Sequence, residues 1–304
     1  MLEPAELYEV AADAPELDGP VLLVALEGFV DAGNAAGLAV AAMRINQEAR
    51  ALARFDVDQL VDYRSRRPPL RFETDHWAAY SAPELDVVAL KDTAGTDFLL
   101  LAGPEPDVQW ERFTAAVKQV MERFGVRLLI NLSAIPMAVP HTRPIGVTVH
   151  GTRPELTEGH EAWFATAEVP GSAVGLMEFR LGEAGLDAMG FAVHVPHYLA
   201  RAEYPQAARV LLDHVGIAAG LYLPTEPLTK AAEQAEAEIA EQVEASDEVK
   251  QVVQALERQY DAVASGRGDR ASLGFGGQLP SADELAAEVE RFLRGDQEGG
   301  QEDL

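Results

Sequence analysis

The chain's clearest hydrophobic signal is an unbroken apolar run, Val21 to Leu26, with no alternation of apolar and polar positions. A strand of that kind is covered on both faces, the habit of parallel sheets in α/β proteins. The run breaks into a Gly/Asp/Asn turn and resumes as an alanine-rich helix, predicted from about Asn34 to Glu48. Gly28 and Gly33 permit a tight turn, and Asp31 or Asn34 can cap the helix. Ligands in such sheets sit where strands hand over to helices, so this turn marks a candidate pocket.

Further along, Phe55 to Tyr63 reads as a strand that Arg66-Arg67-Pro68-Pro69 must interrupt, which predicts an excursion from the sheet. Asp86 to Leu90 and Phe98 to Leu101, separated by Asp92-Thr-Ala-Gly-Thr96, read as a hairpin, so the sheet is mixed. Trp110, Phe113, Val117, Val120, Met121 and Phe124 fall at helical spacing, with Gly125 as the left-handed stop. Val126 to Leu132 is a second buried strand, followed by a loop at 133–144 stiffened by three prolines and an alternating strand from Ile145 to His150. Ser172 opens a helix to about Leu181, Met189 to Val195 is a strand, and Pro205 opens a helix that Gly216 closes. Strand-then-helix order up to about Leu223 predicts a three-layer α/β/α domain with a mixed sheet over residues 1–224.

Composition changes at Pro224: residues 225–304 carry 19 acidic and 7 basic side chains. Ile239, Val243, Val249, Val253, Leu256, Tyr260 and Val263 form one apolar stripe, read as a single long helix. After a glycine-rich loop, Ser281-Ala-Asp-Glu284 is a capping box for a last helix with Leu285, Val289, Phe292 and Leu293 on its apolar face. These helices, residues 225–295, hold too few apolar groups for a core of their own and must dock on the α/β layer. They read equally as a lid over the pocket and as a partner-docking arm, and residues 296–304 read as a disordered tail.

Charge and chemistry narrow the function. Fifty acidic against 24 basic residues give a net charge of −26, which opposes nucleic-acid binding. The absence of cysteine removes disulfides and thiolate chemistry. No apolar run reaches the ~20 residues of a membrane span, and the first residues lack a basic leader, so a soluble cytoplasmic protein is expected. The densest basic cluster, Arg64, Arg66 and Arg67, suits an oligomer interface or an internal hairpin contact. Phosphate-loop, dinucleotide, serine-elbow and His-Glu-x-x-His signatures are missing, so neither cofactor nor metal is expected.

Three local clusters remain as candidates for a site. They are Glu27, Asp31 and Asn34; His141 and Arg143 between two prolines; and His194 and His197 with Tyr198. All three follow strands on one sheet edge, where a carboxylate suits a general base and a fixed imidazole and guanidinium suit an anionic group. Each has a structural reading as well: a helix cap, a rigid turn and satisfied core polar groups.

Taken together, Glu27-Gly-Phe-Val-Asp-Ala-Gly33, Asp62-Tyr-Arg-Ser-Arg-Arg-Pro68, Gly103-Pro-Glu-Pro106 with Trp110, Pro140-His-Thr-Arg-Pro144, and Val195-Pro-His-Tyr198 with Tyr204-Pro205 resemble the proteasome assembly chaperone 2 family, most closely its actinobacterial branch. The resemblance spans about residues 20–223, and the region 225–295 resembles that branch's C-terminal extension. It implies a phosphorylase/hydrolase-like α/β/α fold, a hairpin insertion used in oligomerisation as a homotrimer, and a helical lid over a ligand site, without a catalytic set. Two functions follow: a binding or assembly protein with a protein partner or small-molecule ligand, or a phosphorylase- or hydrolase-like enzyme on a nucleoside-like or amide substrate. The lack of a complete nucleophile–base pair in the sequence favours binding.

Overall fold

The computed structural model describes residues 2–267, apart from 29, 48, 164 and 165, together with 273–274. Among these, strands β1 (Tyr8–Val10), β2 (Val21–Glu27), β3 (Arg50–Phe55), β6 (Asp86–Lys91), β7 (Asp97–Pro104), β8 (Leu128–Met137), β9 (Val147–Gly151) and β10 (Ala188–Pro196) build one sheet, while β4 (Leu70–Glu73) and β5 (His76–Tyr80) form a separate hairpin. The sheet order is β1-β3-β6-β7-β2-β8-β10-β9. Its centre, β7-β2-β8-β10, is parallel, and antiparallel strands flank it on both sides.

Helices α1 (Ala35–Arg44), α4 (Pro205–Ala219) and α5 (Glu226–Ala245) cover one face, and α2 (Trp110–Phe124) and α3 (Ala173–Glu183) cover the other. Central β2 shows why its sequence does not alternate: Val21, Leu23 and Ala25 enter the core beneath α1 and α4, while Leu22 and Val24 enter the core beneath α2. Both faces are apolar because both are covered. Alanines at 35, 36, 39 and 42 keep α1 slim and buried where it meets α4.

Several elements differ from the sequence expectation, each for a local reason. The stretch after Phe55 is not a strand; β3 lies before it, and Asp56 caps a single turn, Val57–Gln59, by accepting from Asp58 N. Val57, Leu60 and Val61 are buried at helical spacing. Helix α1 stops at Arg44, short of Glu48. Strand β8 runs on to Met137; past Ala134 only β10 pairs with it continuously, which leaves an open side that tolerates Pro136. Gly216 lies inside α4, which ends at Gly220 with φ 70°; the reversing chain returns Leu221 N to Gly216 O at 2.9 Å. The single long C-terminal helix is in fact two, α5 and α6 (Asp247–Ala264), broken at the extended residue Ser246, whose hydroxyl accepts from Val249 N. The expected last helix with Leu285, Val289, Phe292 and Leu293, and the tail 296–304, lie outside the described residues.

The excursion after Arg66 is the β4–β5 hairpin, all of whose residues are exposed. Phe72 and Trp77 stack edge to face on it, with ring centroids 5.1 Å apart. Among the described residues no helix is long and apolar enough to cross a membrane.

Candidate functional site at the strand edge

Where β2 ends, the chain folds back onto the start of α1, and Asp31 caps that helix. Its two carboxylate oxygens accept from Ala36 N at 2.9 Å and Gly37 N at 3.0 Å, two of the amides a helix start leaves without partners. Asn34 adopts φ 50° ahead of the helix, yet its side chain caps nothing and lies over Gly37 instead. Burial raises the Asp31 pKa despite the amides that oppose it. A carboxylate bound this way is committed to the helix.

The same turn is tied to the end of β10. Gly33 N donates to Ala200 O at 2.8 Å, and Tyr204 N donates to Gly33 O at 2.9 Å. Gly33 has φ 68°, and a Cβ there would lie 2.8 Å from Tyr204 Cβ, so the close approach requires glycine. This clasp joins the Asp31–Asn34 turn to the segment carrying His197 and Tyr198.

Tyr198 in turn meets His141. The His141 amide donates to the phenol oxygen at 2.9 Å, and that oxygen lies 2.7 Å from His141 Nδ1. The phenol oxygen accepts from the amide and shares one hydrogen with Nδ1, so the imidazole tautomer sets the direction of that second bond. Burial pushes Tyr198 up to about 12 and lowers the His141 pKa, the latter against the raising influence of Glu257 and Glu236. Both side chains are neutral at pH 7. Tyr204, buried beside them, is also pushed up by burial.

Above this pair lies α6. Arg143 makes a two-pronged ion pair with Asp261, Nε to Oδ1 at 2.8 Å and a second bond at 2.9 Å, and a further one with Glu257 at 3.2 Å. Thr142 donates to Glu257, and Tyr260 Oη donates to Pro144 O at 3.1 Å. The guanidinium expected to face an anionic ligand therefore faces carboxylates of its own chain. Glu257, Asp261 and Tyr260 were not singled out as site residues; their spacing of three and four places them on one helix face, but only the fold reveals what that face meets.

Two of the expected residues belong elsewhere. Glu27 is exposed, and its carbonyl accepts from Arg66 at 3.0 Å and from Glu105 N at 3.1 Å. His194 is fully buried toward β9: its Nε2 lies 2.8 Å from Thr148 Oγ1, and its ring meets Trp163 at 4.4 Å. Burial alone lowers its pKa to about 4.

In the basic cluster, Arg66 braces the chain through the carbonyls of Glu27 and Glu105 and the Asp107 carboxylate. Arg64 pairs with neighbouring Asp62 and is exposed, as is Arg67. The acids that meet Arg64 and Arg66 thus come from the same chain. Buried Glu105, unremarked as a site residue, accepts from Ala173 N at 2.7 Å and starts α3.

Two cavities are outlined by described residues. One, about 400 Å³, lies at the end of α4 beside Ile217 and Tyr222, and the other, about 290 Å³, lies between β9, residues 159–163 and α6. Neither is lined by Asp31, His141 or Tyr198.

No functionally curated protein matches the chain. Among solved structures, a Mycobacterium tuberculosis protein of unknown function is 46% identical over 95% of this chain and 98% of that one, with a TM-score of 0.83. A Corynebacterium glutamicum protein of unknown function is 38% identical over 86% and 98%, with a TM-score of 0.81. A Mycobacterium tuberculosis proteasome-assembly chaperone homologue is 27% identical over 77% and 99%, with a TM-score of 0.70. The sequence profile of the PAC2 family matches residues 25–243. A chain whose strand-edge clasp and hairpin insertion fall within that match belongs to the PAC2 family.

Proposed function

We propose that this protein is a non-catalytic binding protein of the proteasome-assembly chaperone kind, acting on a protein partner as a homo-oligomer. The observation that carries the reading is the β4–β5 hairpin, where Leu70, Phe72, Trp77 and Tyr80 stand 52–65% exposed on a two-stranded projection. Large apolar side chains grouped outside the core mark an interaction surface. A trimer joined through these hairpins, with Arg64 and Arg67 bordering the contact, is the assembly we propose, in a soluble cytoplasmic protein of an actinobacterium.

The strand edge supports the same reading. Asp31 serves α1, Arg143 serves α6, and His141 and Tyr198 serve each other, so the groups suited to catalysis are engaged in holding the fold. In this reading α5 and α6 act as a lid, and a small ligand enters over His141 and Tyr198 when α6 lifts. The enzyme alternative, a phosphorylase- or hydrolase-like reaction on a nucleoside-like or amide substrate, draws on the neutral His141–Tyr198 pair as proton donor and acceptor.

Light scattering on the full chain tests the assembly. The wild type is expected at three times the chain mass and Phe72→Ser/Trp77→Ser as a monomer with unchanged circular dichroism. A monomeric wild type, or an unchanged mass in the variant, overturns the hairpin interface. Native mass spectrometry with purified proteasome α and β subunits tests the partner, and absence of any complex rejects the chaperone role.

A further inference from the structure

A ring of three copies has heterologous contacts, each joining two different patches, so a hairpin on one protomer needs a receiving surface elsewhere on the next. The end of α4 offers one. Ile217 is 84% exposed there and Tyr222 70%, and both line the 400 Å³ cavity together with buried Leu212 and Leu221. Gly216 and Gly220 also line it and, having no side chains, leave it open.

This surface is held in shape from below. Tyr222 N donates to Oδ2 of buried Asp92 at 2.9 Å, and Tyr222 O accepts from Thr93 N and Thr93 Oγ1, both at 3.0 Å. The other Asp92 oxygen accepts from Ala94 N at 2.9 Å and Thr96 N at 2.8 Å, so the turn before β7 and the chain leaving α4 form one unit. An exposed apolar side chain on a fixed backbone loses little freedom when a partner covers it, which suits an interface anchor.

Charge and position point to the hairpin as the occupant. Arg67, at the hairpin's root, and Asp213, lining the cavity one turn before Ile217, are both exposed, and neither forms a hydrogen bond or ion pair among the described residues. Residues 62–84 set four arginines against four acidic side chains, so in a chain of net charge −26 this segment escapes the repulsion between copies. The two surfaces do not meet within one molecule. Arg66 ties the hairpin's root to the end of β2, whereas Tyr222 is tied to the turn that opens β7; the two strands are parallel, so hairpin and cavity stand at opposite edges of the sheet.

We propose that the Ile217–Tyr222 surface receives the β4–β5 hairpin of a second copy of this chain, whose exposed apolar side chains cover Ile217 and Tyr222 and whose Arg67 faces Asp213. The inference rests on the homo-oligomer reading above and names the surface that the hairpin meets.

Light scattering on full-length variants tests it. Ile217→Glu, at a position that already lies in water, is expected to take the mass from three chains to one with circular dichroism unchanged. Asp213→Arg should weaken association by about tenfold or more, and Arg67→Asp added to the same chain should restore it. An Ile217→Glu protein that stays trimeric while Phe72→Ser/Trp77→Ser is monomeric leaves the hairpin interface standing and overturns this receiving surface. A wild type that is itself monomeric overturns both. Failure of Arg67→Asp to rescue Asp213→Arg overturns the placement of the hairpin on this surface.

Discussion

Lowering the pH from 7 to 5 should destabilise the fold through His194, and the size of the effect follows from its surroundings. The ring is fully buried, paired through Nε2 with Thr148 and packed against Trp163. Burial takes its pKa from the ordinary 6.5 to about 4, so the native state keeps it neutral while the unfolded chain protonates it. Between those two values the unfolded state binds more protons, and stability therefore falls as the pH falls, beginning near 6.5 and complete near 4. At pH 5 the unfolded imidazole is almost wholly charged and the native one almost wholly neutral, which costs about 2 kcal/mol relative to pH 7. Urea unfolding of the wild type and of His194→Gln at pH 7, 6 and 5 isolates this contribution, because glutamine retains a partner for Thr148 and does not titrate. Every other ionisable group is common to both proteins. The wild type should lose about 2 kcal/mol more than the variant across that interval. Parallel losses, within about 0.5 kcal/mol, would refute a neutral buried His194.

Asp31→Ala removes the acceptor of two α1 amides and should cost about 1 kcal/mol in urea unfolding, whereas Asp31→Asn, which keeps one acceptor and relieves a buried charge, should cost less; the reverse order would reject the cap. Gly33→Ala forces a Cβ against Tyr204 at a positive φ and should cost about 2 kcal/mol or more, so an unchanged unfolding midpoint would contradict the clasp. Arg143→Gln should speed amide exchange across residues 247–264 while leaving β2 and β8 protected, and identical exchange in α6 would show that the ion pairs do not hold it.

The α/β/α core was legible because its signals are local. The unbroken run of β2, the Asp92–Thr96 turn, Gly125 at φ 63° and the Ser172 cap each state their structure within a few residues. The site was legible only as an edge. Sequence order shows that Asp31, His141 and Tyr198 each follow a strand, whereas the clasp from Gly33 to Ala200 and Tyr204 joins residues far apart in the chain. His194 illustrates the limit: it shares a short motif with His197, yet it lies within the sheet against β9, while Tyr198, two residues past the end of β10, meets His141. The break at Ser246 was hidden because the apolar stripe continues across it, and the serine that interrupts one helix is a good cap for the next.

The placement of β2 bears on how the chain is made. Its sheet neighbours are β7 and β8, and β8 is synthesised only about a hundred residues after it, an interval of several seconds at ordinary elongation rates. Until β7 follows, the run Val21 to Leu26 has both hydrogen-bonding edges open, one edge stays open until β8, and the run carries no charge of its own, the profile of a segment that pairs with copies of itself. Glu27 directly after the run and the acidic residues ahead of it, Glu16 and Asp18, flank the segment with like charge. Part of the chain's acidity thus acts before folding, by keeping nascent copies of its central strand apart until the partners it needs have been translated.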